Sequence, residues 1–408
     1  LEPQLKILAF SFYFPPHGGP GALRPLKLLK YSAPLGAEGV VVAGAEDDYS
    51  VIDGSLCAEI PEEFLVLRTP KGADPLRFIR KKMSNKIHAP SSDLIFLPDN
   101  KVWWPRPASR LGEIALPEAD IVWATCPPFS AGVSARKAAK ELGVPLVLDF
   151  RDSWTRNPNR KRLPFTHRFI NNYIAKKTCS SASLITCAYE SIAEEMRELA
   201  PNARIEVIPN GFDTEDLPKS PPPISPDAPL RICYLGTIYP DLNYPMPLLR
   251  AMRKFDDVKL TVVGRYPDKF IEDVNDLGLS DRFDLKGYRP HREALDICSE
   301  HDVLLLYIDN RPLNTGQITS KTYEYIGLGR PILACIPQRG EAEMLLEGIP
   351  NAIIADTDNE DAIATALDRI RKEKYSGNMT IAAPPEKFSR KALAERWFEL
   401  VKEAYSLS

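Results

Sequence analysis

Ile208-Pro209-Asn210-Gly211-Phe212-Asp213, followed by Pro218-Lys219-Ser220-Pro221-Pro222-Pro223-Ile224-Ser225-Pro226, interrupts the chain near its middle. Proline lacks a backbone donor and fixes φ, so this density bars helix and sheet ladder alike. The segment reads as a linker with a domain on either side, as a chain of 408 residues leads one to expect.

On both sides the same rhythm runs. Before the break, short apolar runs at 5–12, 39–44, 64–67, 120–125, 144–150, 183–187 and 205–208 alternate with helical stretches at 22–35, 130–142, 165–179 and 190–199. After it, runs near 230–235, 258–263, 282–286, 302–307, 331–336 and 352–355 again have helices between them. Unbroken apolar strands alternating with helices predict parallel sheets covered on both faces. The fold class is therefore α/β, with two doubly wound, Rossmann-like domains facing each other across a hinge and binding ligands at the carboxyl ends of their strands. The expected boundaries are 1–213, a linker at 214–229, a second domain at 230–385 and a C-terminal helix within 386–408. That helix, 389–405, carries Leu393, Trp397, Leu400 and Val401 on one stripe and is expected to pack back toward the first domain.

Hydrophobic content of 44% and charged content of 26% describe a soluble globular chain. No apolar run is long enough for a membrane span. Ile7-Leu8-Ala9-Phe10 reads as a buried strand rather than a signal core, because Pro15-Pro16 and glycines follow it. Seven scattered cysteines without a CxxC pattern read as buried thiols in a reducing compartment. The expected location is cytoplasmic, with a peripheral contact at the inner face of the membrane as an extension of that reading. Residues 68–177 hold 21 basic and 9 acidic side chains. Arg77, Arg80, Lys81, Lys82 and Lys86 are interleaved with Phe78, Ile79 and Met83, and a second group comprises Arg156, Arg160, Lys161, Arg162 and Arg168. Such a face suits anionic lipid or a phosphorylated acceptor, and equally a solvated surface. No nucleic-acid-binding motif accompanies it.

Thr319-Ser320-Lys321-Thr322-Tyr323-Glu324-Tyr325-Ile326-Gly327-Leu328-Gly329-Arg330-Pro331-Ile332-Leu333 reads as a polar turn, a short helix and a buried strand. The free amides of a helix start can seat a phosphate. Lys321 can meet that phosphate, and Glu324, one turn further, can accept bonds from two ribose hydroxyls. The alternative is a carboxylate that only complements the helix dipole.

These segments resemble retaining glycosyltransferases of family 4, the two-domain GT-B type found in bacterial surface-glycan synthesis. Tyr13-Phe14-Pro15-Pro16-His17-Gly18-Gly19-Pro20-Gly21 with Arg24 resembles the family's first strand and glycine-rich loop. Ala124–Phe129 and Leu148-Asp149-Phe150-Arg151-Asp152-Ser153-Trp154 are similar to its acceptor-domain landmarks, and Val207–Asp213 to its crossing into the second domain. Leu235-Gly236-Thr237, Val263-Gly264-Arg265 and Lys286-Gly287-Tyr288 resemble the strand ends around its nucleotide-sugar site. The family often has two glutamates with seven residues between them. Glu324 fits the second, and Gly316 stands at the first. Thr237-Ile238-Tyr239-Pro240 replaces a common basic pair, whose charge Arg265 and Lys321 would supply.

The resemblance implies a donor site of Gly18, Gly19, Gly236, Thr237, Arg265, Tyr288, Gly316, Thr319, Ser320, Lys321 and Glu324. Gly18 and Gly19 would bring amides close to the diphosphate, and the loop at Tyr288 would hold the base. Catalytic roles fall to Arg151, Asp152 and Lys321. Arg151 and Asp152 would orient the acceptor, or else form an ion pair within their domain. Asp149 reads as structural, facing the loop backbone, while Arg24 is open between phosphate contact and packing. No metal is expected, since Asp356-Thr357-Asp358 reads as a helix cap and the five histidines show no ligand spacing. No cofactor is expected beyond the nucleotide sugar as co-substrate, with a UDP-sugar favoured. The implied reaction transfers a sugar to a glycan or lipid-linked acceptor in polysaccharide or glycoconjugate biosynthesis. A nucleotide-sugar epimerase of the same fold and a non-catalytic sugar-nucleotide-binding protein are the competing readings.

Overall fold

Short runs rich in branched and aliphatic residues build the strands, and the central ones are largely apolar because both faces are covered. The computed structural model describes residues 4–49, 51–69, 96–157, 164–218, 221–240, 243–311, 316, 318–379 and 381–407. The chain divides into two units, Leu1–Asn210 with Arg390–Ser408, and Gly211–Ser389.

The first unit runs β1 (Leu5–Phe10), α1 (Pro20–Ser32), β2 (Ala37–Ala43), β3 (Phe64–Arg68), α2 (Pro105–Ala115), β4 (Ile121–Cys126), α3 (Phe129–Leu142), β5 (Leu146–Phe150), α4 (Phe165–Cys179), β6 (Leu184–Cys187), α5 (Glu190–Leu199) and β7 (Arg204–Val207). Its seven strands are parallel in the order β3-β2-β1-β4-β5-β6-β7. Every residue of β4 and β5 is buried. Strand order reverses between β1 and β4, so the loops leaving β1, β4 and β5 sit where such sheets hold ligands.

The second unit runs β8 (Leu230–Leu235), α6 (Met246–Met252), β9 (Val258–Val263), α7 (Asp268–Asp276), β10 (Phe283–Gly287), α8 (His291–Ser299), β11 (Val303–Tyr307), α9 (Ser320–Leu328), β12 (Ile332–Ile336), α10 (Glu341–Glu347), β13 (Ala352–Asp356) and α11 (Glu360–Tyr375). Six parallel strands follow the order β10-β9-β8-β11-β12-β13, reversing between β8 and β11.

The last helix, α12 (Arg390–Ser406), belongs to the first unit, as expected from its stripe. Trp397 stacks obliquely on Trp123 with ring centres 4.9 Å apart, and Leu393, Leu400 and Val401 join the core around Ile7 and Leu26.

The described residues of the expected linker, 214–218 and 221–229, fall in the second unit. Proline carbonyls still accept, and Arg330 donates to Pro222 O while Lys374 donates to Ser225 O. The proline-rich segment thus lies along the second unit, which spans 211–389 rather than 230–385. Phe212, placed by the sequence in the first domain, is buried in the second unit against Gly327, where a Cβ would meet its ring. Its amide donates to Phe388 O (3.1 Å), and Phe212 bridges Ser389, so the chain enters and leaves this unit side by side.

Two smaller expectations also change. Cys57 is exposed, while the other six cysteines are buried and free. The cap of α11 is Asn359, whose side chain accepts from the Ala362 amide (3.0 Å), whereas Asp356 accepts from the Asp358 amide (3.1 Å).

Candidate active site

In the first unit the site begins at the turn leaving β1. The Gly18 amide donates to Val51 O (3.1 Å), and a Cβ at Gly18 would press on Asp53 at 3.0 Å. Gly19 has φ 119°, a left-handed value that favours glycine, and opens α1 without a side-chain cap. Its carbonyl accepts from Ala22 and Leu23 (3.1 and 3.2 Å).

Arg24 is a buried brace. Its guanidinium grips Asp149 through Nε–Oδ2 (2.9 Å) and Nη2–Oδ1 (2.7 Å), and donates to Ile208 O (2.8 Å) and Pro209 O (3.0 Å). Asp149 also accepts from the Thr125 and Thr186 hydroxyls (3.1 and 2.7 Å), so it faces side chains rather than the loop backbone. Burial alone would raise the Asp149 pKa, but Arg24 and the Thr186 hydroxyl outweigh it and hold the carboxyl below its usual range.

Arg151 and Asp152 follow β5 at the ligand-binding end of the sheet. The Arg151 amide donates to Cys126 O (2.8 Å), its Nη2 donates to Pro127 O, and its buried Nε has no hydrogen-bond partner. Nη1 lies 3.1 Å from where a Cβ on Gly21 would stand, which brings the guanidinium to the start of α1. Burial lowers the Arg151 pKa against the pull of Asp152 and Asp149. Burial likewise raises the Asp152 pKa, opposed by Arg151. The two side chains make no ion pair within 4.0 Å, so the internal-pair reading does not hold.

The sequence did not single out what fixes this loop. Glu195 on α5 accepts from Thr155 N and Oγ1 (2.6 and 2.7 Å) and from the Ser153 hydroxyl. Trp154 is buried, stacked on Phe129 with ring centres 4.7 Å apart, and donates to Asn171 Oδ1 (3.2 Å). His17 packs between Tyr13 and Tyr49 at 4.7 and 5.0 Å, with a buried Nδ1 that lacks a partner. Burial, then Arg151 and Lys101, push its pKa below the ordinary value. The only sequence signal for Glu195 was its place in an amphipathic helix.

In the second unit Gly236, Gly264 and Gly287 close β8, β9 and β10. Gly236 N donates to Val263 O (2.9 Å) and Gly264 N to Gly287 O (2.8 Å). A Cβ on Gly264 would enter the Gly236 carbonyl, and one on Gly236 would enter the Lys321 ammonium. Lys321 therefore stands directly over the end of β8, with Nζ 4.8 Å from the Tyr234 ring centre. Among the described residues no carboxylate lies within 4.0 Å of it. The Tyr325 hydroxyl accepts from Leu235 N (2.9 Å), so α9 is fastened to β8 by its own side chains.

Thr319 is the N-cap of α9 but makes no side-chain cap bond; its hydroxyl lies 3.2 Å from that of Thr322. Ser320 is the first helical residue. Glu324, the fifth, is buried, with Oε1 2.9 Å from His291 Nε2. It lies beyond the first turn, and its partner is a side chain of α8, so dipole complementation does not account for it. His291 begins α8 directly after the Tyr288 loop. Tyr288 is 71% exposed, with the Arg265 guanidinium 5.7 Å from its ring centre. Thr237 O accepts from Asn243 Nδ2 (3.0 Å). Gly316 occupies a turn.

A groove of about 550 Å³ lined by Arg231, Lys259, Thr261, Asp284, Lys286 and His301 is lined by none of the expected site residues. No group of three or more His, Cys, Asp or Glu able to hold a metal occurs among the described residues, and no helix there is long and apolar enough to cross a membrane. Arg77, Arg80, Lys81, Lys82, Lys86, Arg160, Lys161 and Arg162 lie outside the described residues, as do Phe78, Ile79 and Met83.

The family model described as Glycosyltransferase Family 4 matches residues 63–216. By this stretch, which is less than half of its length, the chain is similar to glycosyltransferase family 4. No curated protein matches the chain. Its fold is that of solved GT-B structures. HepE from Anabaena in complex with UDP and glucose is 17% identical with a TM-score of 0.62, over 98% of this chain and 100% of that one. Sucrose-phosphate synthase from Thermosynechococcus elongatus is 14% identical with a TM-score of 0.68, over 99% and 100%. The lipopolysaccharide outer core galactosyltransferase WaaB, in its apo form, is 15% identical with a TM-score of 0.60, over 98% and 99%. At such identities the likeness shows the fold alone, two Rossmann-like units.

Proposed function

We propose that the chain is a retaining, metal-independent glycosyltransferase that moves a sugar from a nucleoside-diphosphate sugar to a glycan or lipid-linked acceptor in polysaccharide or glycoconjugate biosynthesis. A UDP-sugar is the favoured donor, a preference supported by the UDP held in HepE. The observation that carries the reading is the pair on α9: a buried carboxylate oriented by His291, one turn after a lysine held over the end of β8.

In this reading Glu324 accepts from the ribose hydroxyls, with His291 fixing its rotamer. Lys321, the uncapped amides of Thr319 and Ser320, and Arg265 meet the diphosphate as its negative charge grows on bond cleavage. Gly18, Gly19, Gly236 and Gly316 contribute backbone without the bulk of a side chain. Thr237 shapes the end of β8, and Tyr288 stacks on the base. Asp152 and Arg151 orient the acceptor hydroxyl, while the leaving phosphate takes its proton, as the resemblance to retaining transferases implies. A carboxyl whose pKa burial raises, next to a desolvated guanidinium at a strand end, is the kind of perturbed pair that functional sites collect.

The deciding experiment incubates the pure protein with UDP-sugars and an acceptor extract. A new glycoside with free nucleotide supports the proposal. An altered sugar still joined to its nucleotide would establish an epimerase instead, and nucleotide binding without turnover a binding protein.

A further inference from the structure

Helix α4 has an apolar side that the described residues of its unit leave exposed. Phe165, Phe169 and Tyr173 recur every four residues along one face and are 75%, 67% and 59% exposed; Ile170 beside them is 47% exposed. The opposite face buries Asn171, Ala175, Thr178 and Cys179 in the first unit. The helix is thus anchored from behind and displays its largest apolar groups outward. An isolated exposed apolar residue is ordinary, but a contiguous stripe of aromatics is not.

The charge on this helix has one sign. Arg168, Lys176 and Lys177 and the adjacent His167 are its titratable side chains of positive type, and it contains no Asp or Glu. Lys177 Nζ lies 5.8 Å from the Tyr173 ring centre, so the basic groups border the stripe itself. Three carboxylates of α5 are engaged in ion pairs of their own: Glu194 and Glu198 with Arg156 (3.8 and 2.5 Å), and Glu190 with Arg197 (2.5 Å).

We propose that this face of α4 docks on an anionic lipid surface, with Phe165, Phe169, Ile170 and Tyr173 entering the headgroup region and Lys176 and Lys177 meeting lipid phosphates. Aromatic rings favour that boundary, and lysine stems can lie along apolar surface while their ammonium groups reach anions. A protein partner is the weaker match, since lysine is depleted from the cores of such interfaces. The inference stands on α4 alone and does not require the glycosyl acceptor to be a lipid.

Flotation of the full chain with vesicles of phosphatidylcholine, alone or mixed with phosphatidylglycerol, tests it. The chain should float with the anionic vesicles at low salt and much less at high salt. Phe165→Ser/Phe169→Ser/Tyr173→Ser should cut the bound fraction at least about tenfold with an unchanged melting temperature, because the replaced groups are exposed. Lys176→Glu/Lys177→Glu should cut it by about 25-fold or more, at about fivefold per basic group lost near the surface. In a Phe169→Trp variant, acyl chains brominated near the headgroup should quench more fluorescence than in the parent. Equal flotation of parent and both variants, or none at any salt, overturns the proposal. So does a concentration-dependent dimer that the serine variant abolishes, for then a second copy covers the stripe.

Discussion

At the scale of single residues, Glu324 separates what a sequence tells from what only a fold can. Its place after a helix start was legible, and the structure puts it on the second turn of α9 as read. Its partner His291 was not, because 33 residues separate them and no spacing rule joins the first residue of one helix to the fifth of the next. Glu324→Ala should weaken UDP binding by roughly 1.5–3 kcal/mol for each charge-assisted bond lost, with the melting temperature held near wild type. Titration calorimetry checks this; unchanged affinity would leave Glu324 a packing residue. Asp152 makes the complementary case. Asp152→Asn keeps the shape, so it should leave UDP affinity intact and reduce turnover about 100-fold or more, the usual range for losing a positioned ionisable group. Arg24, by contrast, turned out to be a brace: truncating it strands a buried carboxylate, and Arg24→Ala should cost about 3–5 kcal/mol of stability in urea unfolding.

Among the elements, period and composition were enough for the strands. β8 and β9 span the expected runs, since a parallel strand covered on both faces is mostly apolar, with Arg231, Lys259 and Thr261 standing within them. The proline-rich segment misled for a definite reason. Proline density excludes a ladder but leaves every carbonyl able to accept, and the donors, Arg330 and Lys374, lie 108 and 149 residues further on. Between α8 and β11, His301 is enclosed, with Nδ1 2.7 Å from Ile297 O and Nε2 2.7 Å from Thr261 Oγ1. Burial pushes its pKa below 6.5. The unfolded chain then takes up the proton first. Stability is full above the unfolded pKa and falls as pH drops toward the folded one, that is, below about 6.5. His17 adds a contribution of the same sign. His301→Gln should therefore flatten the slope of stability against pH between 7.5 and 5.5, read from urea midpoints. A slope equal to wild type would mean that His301 titrates alike in both states.

For the whole molecule, two Rossmann-like units were legible from the repeated rhythm alone, but their borders were not. A border is set by which core a side chain enters, and Phe212 enters the second while Trp397 returns to the first. A chain stopped after Ser389 loses Leu393, Trp397, Leu400 and Val401 from the first core, at about 1.5–3 kcal/mol each. That sum reaches the whole margin of an ordinary domain, so the shortened protein should lose near-ultraviolet circular dichroism from the first unit. Retained near-ultraviolet signal and protease resistance would show that α12 is dispensable.

The side-by-side passage of Phe212 and Ser389 also bears on how such a protein can be rebuilt. The second unit is a guest spliced into a host, and its two ends meet at one seam. Replacing 211–389 by a short glycine–serine loop from Asn210 to Arg390 would keep the host core whole, including α12, in a single chain. The same seam would accept the corresponding unit of another protein of this fold, and under the proposed function donor preference would travel with it as one cassette.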